Sequence, residues 1–99
     1  MNEVVVEVGG RAVGDAAASR LRDRLRDLLN QGYDCVLLNV AELTYMDSVL
    51  LGAIVQAHAS VIQYGARIRI MHATQRFRAL LAVTKLDRVL DVMEDGAET

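Results

Sequence analysis

Leu43-Thr44-Tyr45-Met46-Asp47-Ser48 is where one hydrophobic pattern ends and another begins. Upstream, Cys35 to Val40 is a nearly continuous apolar run, which predicts a strand buried on both faces at the centre of a sheet. Downstream, Leu51, Ile54, Val55, Val61 and Ile62 recur at helical spacing as far as Gly65, with His58 on the same side. The junction is therefore a strand feeding a helix, with the Ser48 hydroxyl at the helix start. Unpaired amide N–H groups and the summed peptide dipoles give such a point partial positive charge. A phosphate on Ser48 would add about 1.5 to 2 negative charges at a spot suited to receive them.

The rest of the chain repeats the alternation. Val4-Val5-Val6-Glu7-Val8 is β-branched and stops at Gly9-Gly10, which predicts a strand that turns tightly into Arg11-Ala12-Val13 as a hairpin. From Asp15, the expected N-cap, Ala18, Leu21, Leu25, Leu28 and Leu29 form the inner stripe of an amphipathic helix that Gly32 terminates. Its arginines and aspartates take the wet faces. Ala66 to Met71 alternates with a period of two, predicting a strand near a sheet edge with one exposed face. Thr74 can cap a third helix whose inner side holds Phe77, Leu80, Leu81 and the stem of Lys85. Val89 to Met93 fits either a strand or a helix. The whole predicts an α/β fold, a mostly parallel or mixed sheet covered by amphipathic helices, with right-handed crossovers.

Ninety-nine residues with 53% apolar content suit one domain over 1–99. A net charge of −2, with both signs interspersed, lacks the basic footprint of a nucleic-acid binder. No apolar run nears the roughly 18 residues that span a bilayer, and Met1-Asn2-Glu3 has no basic leader, so membrane insertion is not expected and a cytoplasmic location is. The polar ending from Glu94 to Thr99 is expected to fray.

With the elements placed, Val36 to Gly52 resembles the STAS domain of bacterial anti-sigma factor antagonists, in which a buried strand leads to Asp-Ser-Ser-Gly-Leu at a helix start. Here the matching residues are Asp47-Ser48-Val49-Leu50-Leu51, preceded by Tyr45-Met46 and followed by Gly52. Gly10-Arg11, the Arg/Leu helix, Tyr64-Gly65-Ala66 and Leu80 to Leu86 fall in the family's order, so the resemblance covers nearly the whole chain. It implies a small STAS-like domain and a phosphorylation-controlled protein-binding module. In that family an anti-sigma factor serine kinase phosphorylates the serine after the aspartate, and the unphosphorylated form binds the kinase so that sigma factor is released. Carried across, Ser48 is the phosphoacceptor, and Tyr45, Met46, Asp47, Ser48, Val49 and Leu50 form the partner-binding segment. Val49 and Leu50 replace the family's Ser-Gly and make this surface bulkier and more apolar. The alternative implied by related domains is a constitutive scaffold or a transporter-associated subunit without phosphorylation.

Plainer roles compete for the same residues. Asp and Ser both cap helices, which contributes about 1 kcal/mol and can coexist with a switch. His58 and His72 lie on different elements without metal-ligand spacing, and are expected to border the core and face solvent respectively. Cys35 reads as a small buried hydrophobe without a base partner. Met46 and Met71 read as core filler, Met46 also as an adaptable contact. Gly9-Gly10 and Gly14 form no phosphate-binding fingerprint, so neither catalysis nor a cofactor or metal is expected.

Overall fold

The computed structural model describes residues 2–12, 14–46 and 48–93, with residues 11, 12 and 44–46 described by their backbone alone. The chain runs β1 (Glu3–Glu7), β2 (Gly10–Ala12), α1 (Gly14–Asn30), β3 (Cys35–Asn39), β4 (Leu43–Met46), α2 (Ser48–Ile62), β5 (Arg67–Met71), α3 (Gln75–Thr84), a 3-10 turn (Leu86–Arg88) and β6 (Asp91–Val92). Two sheets form, one in the order β1-β3-β5-β6 and a small one joining β2 to β4. All of these pairings are parallel.

The expected hairpin between β1 and β2 does not exist. Gly10 has a positive φ of 68° that redirects the chain, and β2 leaves the main sheet to pair with β4. Val13, expected at the end of that strand, lies outside the described residues, as does the tail 94–99. Two further edges shift: Asp15 falls in the first turn of α1 rather than at its cap, and β5 is an interior strand. The terminal segment resolves as β6 pairing with β5, while the preceding turn takes up Leu86 to Arg88.

Because the main-sheet order never reverses, right-handed crossovers all fall on one side of it. The register makes this visible. Val4, Val36 and Ile68 share one row, and Val6, Leu38, Ile70 and Val92 the next, all belonging to a single core with Leu21, Leu25, Ile54, Phe77 and Leu81. The alternate rows, Glu3-Cys35-Arg67 and Val5-Leu37-Arg69-Asp91, point to the opposite face. The helices thus cover one face of the sheet only. Cys35 and Leu37, on the other, are nevertheless 2% and 9% exposed, so β3 is buried on both faces as its apolar run predicts. On this face their row neighbours are long side chains such as Glu3, Arg67 and Arg69. Met71 belongs to this face as well and is half-buried rather than core.

Local chemistry fixes the helix ends. Gly32, at φ 99°, ends α1 while Tyr33 N–H donates back to Leu28 O at 3.2 Å, a glycine stop of the kind the sequence indicated. Thr74 Oγ1 accepts from Phe77 N–H at 3.1 Å and caps α3 as expected. At the other end Lys85 adopts φ 63° and is exposed, so its stem does not join the inner side of α3. In α2, Leu50, Leu51, Ala53, Ile54 and Val61 are buried, whereas Ile62 is 57% exposed, one position beyond the inner stripe.

Candidate functional site

The site is built by the small sheet. Ala12 pairs with Met46, and two residues beyond each partner a helix begins, α1 at Gly14 and α2 at Ser48. Both helices return from the carboxyl end of the parallel strands toward their amino end, so they run in the same direction and pack side by side. Their N-termini are thereby held in register at the carboxyl end of the sheet, the usual place for recognition in open α/β folds.

Ser48 is the first residue of α2, and both it and Val49 are exposed, Val49 to 41%. The next residue turns inward: Leu50 is 1% exposed and packs in the core. Its side chain therefore does not reach the surface where the sequence expected a partner contact. The physical reason is the 100° step of a helix, which places residues 50, 51 and 54 on the face opposite 48 and 49. Tyr45 and Met46 enter through the β4 backbone, which pairs with Arg11 and Ala12. Their side chains, and Asp47 altogether, lie outside the described residues.

The first turn of α2, beginning at Ser48, contains no acidic residue, and the helix dipole is positive at that end. The turn of α1, where Asp15 was expected only as a cap, adjoins this site. Gly14 has φ 81°, a left-handed conformation suited to glycine, and Asp15 follows it, exposed, in the turn held level with Ser48. The signal was available as two matched strand-to-helix junctions, Arg11-Ala12-Val13-Gly14 and Tyr45-Met46-Asp47-Ser48, but only pairing of β2 with β4 reveals that they adjoin.

The other chemically capable residues stay apart. Cys35 is buried under the open face of the sheet, where burial first and the nearby Glu3 carboxylate second push its thiol above the ordinary value of 9.0. That is the reverse of an activated nucleophile. His58 borders the core on α2 as expected, its Nδ1 buried without a hydrogen-bond partner among the described residues. His72, expected in solvent, is half-buried at a left-handed turn with φ 59°. Among the described residues no three His, Cys, Asp or Glu side chains converge as metal ligands, and no helix is long and apolar enough to cross a membrane.

This arrangement of one-sided sheet, paired junctions and exposed serine can be set beside known proteins. A family model described as Mlab, STAS domain matches residues 1–93. The chain belongs to the STAS domain family. Within it, a Thermotoga neapolitana protein, named as a homologue of the anti-sigma factor antagonist TM1081, is 31% identical over 72 residues, 73% of this chain and 64% of its own length. This STAS domain thus spans just under two thirds of that relative. The anti-sigma-B factor antagonist of Bacillus subtilis is 28% identical over 91 residues, 92% of this chain and 82% of that one. Among solved structures, the anti-sigma factor antagonist SpoIIAA in its unphosphorylated form superimposes with a TM-score of 0.76 at 16% identity, over 95% of this chain and 82% of that one. The fold expected from the sequence, an α/β STAS domain, is the fold observed.

Proposed function

We propose that this STAS domain is an anti-sigma factor antagonist, a binding module that sequesters an anti-sigma factor serine kinase while Ser48 is unmodified and releases it when Ser48 carries phosphate. The observation that carries this reading is Ser48 itself, exposed at the first position of a 15-residue helix whose first turn holds no acidic side chain. The names of its relatives support the role. A kinase can reach the hydroxyl, and the helix end would favour the added charge by about 0.3–1 kcal/mol. Folding would therefore survive phosphorylation. Binding would not, because about 1.5 to 2 negative charges and their hydration would stand beside Val49, where a partner must pack. The binding surface comprises Ser48 and Val49, and the proposal extends it to Tyr45, Met46 and Asp47, which precede them in the chain. Leu50 supports it from below.

Incubation with the cognate kinase and ATP, followed by intact-mass measurement, tests the modification: one phosphate on the native chain and none on Ser48→Ala is the expected result. Phosphate on Ser48→Ala at the native level would remove Ser48 from the role.

A constitutive scaffold or transporter-associated subunit is the second reading, and Val49 is the observation in its favour. A β-branched apolar side chain, 41% exposed beside the hydroxyl, suits a permanent contact. A copurifying complex that resists both kinase and phosphatase treatment would support it over the switch.

A further inference from the structure

Among the described residues, β1 is an edge of the main sheet, bonded only to β3. In a parallel ladder alternate residues direct both backbone groups toward the same neighbour. Cys35 N–H donates to Asn2 O, and Val8 N–H donates to Asn39 O, so the even-numbered residues of this segment face β3. The N–H and C=O groups of Glu3, Val5 and Glu7 therefore point outward, without a partner among the described residues. Alongside them runs a groove of about 770 Å³ between the edge and α1, lined by apolar Leu21 and Leu50 and by both signs of charge, Arg20 and Arg24 with Asp23 and Asp27.

We infer that the β1 edge is a second binding site, one that takes an extended segment of another protein as a fifth strand. The side-chain rows define that segment. Glu3, Val5 and Glu7 lie on the open face of the sheet. Val5 is 46% exposed, and neither glutamate forms an ion pair among the described residues. Glu7 accepts only from the neutral Asn39 amide, at 3.2 Å. An added strand at the usual spacing of about 4.8 Å would place its own side chains directly opposite these three. Complementarity calls for basic, apolar, basic at alternate positions, and for apolar residues at the two positions between, which would turn into the groove.

The same charges disfavour a second copy of this chain as the occupant. A two-fold antiparallel pairing of β1 with itself that uses all five residues sets Glu3 against Glu7 at both ends. Like charges directly opposite destabilise a strand pair, a common way for edges to avoid self-association.

The test uses a capped synthetic peptide, Gly-Lys-Val-Val-Val-Lys-Gly, and its counterpart with Glu in place of both Lys, titrated into the isotopically labelled full chain. The Lys peptide is expected to bind at least about tenfold more tightly than the Glu peptide, to slow hydrogen exchange at the Glu3, Val5 and Glu7 amides, and to leave the chain monomeric. In the double variant Glu3→Lys/Glu7→Lys the preference should invert. Val5→Pro removes only an outward N–H, which an edge strand tolerates; it should keep the native circular dichroism and lose the peptide. Equal binding of the two peptides, an unchanged preference in the double variant, perturbations confined to the α1–α2 side, or a dimer formed through β1 would each overturn the inference.

Discussion

Leu50 and Val49 are neighbours in sequence, yet the structure gives them different tasks, and paired substitutions separate those tasks. Leu50 is 1% exposed within the core that joins α1, α2 and the main sheet. Truncation to alanine removes three buried carbons and leaves a cavity, a change that costs about 2–5 kcal/mol at such sites. Taking about 3 kcal/mol and about 4–8 °C per kcal/mol for a domain of this size, the midpoint should fall by about 12–24 °C. In urea, an m-value of about 1.5 kcal/mol/M would translate the same loss into a midpoint lower by about 2 M. Val49 is 41% exposed, and its truncation should shift stability by no more than about 0.5 kcal/mol while weakening partner binding. Circular dichroism during urea and thermal unfolding measures the first effect, and titration calorimetry with the partner kinase measures the second. Leu50→Ala costing less than about 1 kcal/mol, or Val49→Ala costing as much as Leu50→Ala, would refute this division of roles.

Thr74→Ala removes the side chain that accepts from Phe77 N–H and should destabilise the domain by about 1 kcal/mol, read as a lower urea midpoint with unchanged m. Asp91→Asn strips the carboxylate that Arg67 and Arg69 share at 2.9 Å each; at their partial exposure the loss should be about 0.5–1 kcal/mol and should shrink in high salt. Cys35, with its thiol raised by burial, should react with a thiol reagent at neutral pH only as fast as the domain opens. The same shift has a pH consequence. Above about pH 9 the unfolded chain gives up the thiol proton while the folded chain holds it, so stability should decline as pH rises through that range, and Cys35→Ala should remove that part of the decline.

Periodicity made most of the fold legible. The stripe Leu21, Leu25 and Leu28, the Gly32 stop and the Thr74 cap are local signals, and each lies where spacing and end chemistry dictate. What periodicity cannot encode is which face of a strand a helix covers. The run Cys35-Val36-Leu37-Leu38 looks buried on both faces, and by exposure it is, but Cys35 and Leu37 lie among polar row neighbours rather than under a helix. The Gly9-Gly10 turn misled for a related reason: a pair of glycines signals a change of direction without naming the strand that follows as a partner, and β2 pairs with β4, more than thirty residues onward. At the site, Ser48 and Val49 were visible because a strand-to-helix junction is a local event. The inward turn of Leu50 was also implicit in helical spacing, while the adjoining turn at Gly14 and Asp15 was not, since it depends on a long-range pairing.

In the proposed function, charge at Ser48 governs partner binding without altering the fold. Side-by-side titration of the anti-sigma factor kinase with Ser48→Ala and Ser48→Asp tests it most directly. Ser48→Ala should bind tightly and Ser48→Asp at least about tenfold more weakly, a difference of about 1.4 kcal/mol or more, with unfolding free energies equal within about 0.5 kcal/mol. Equal affinities for two equally folded variants would contradict it.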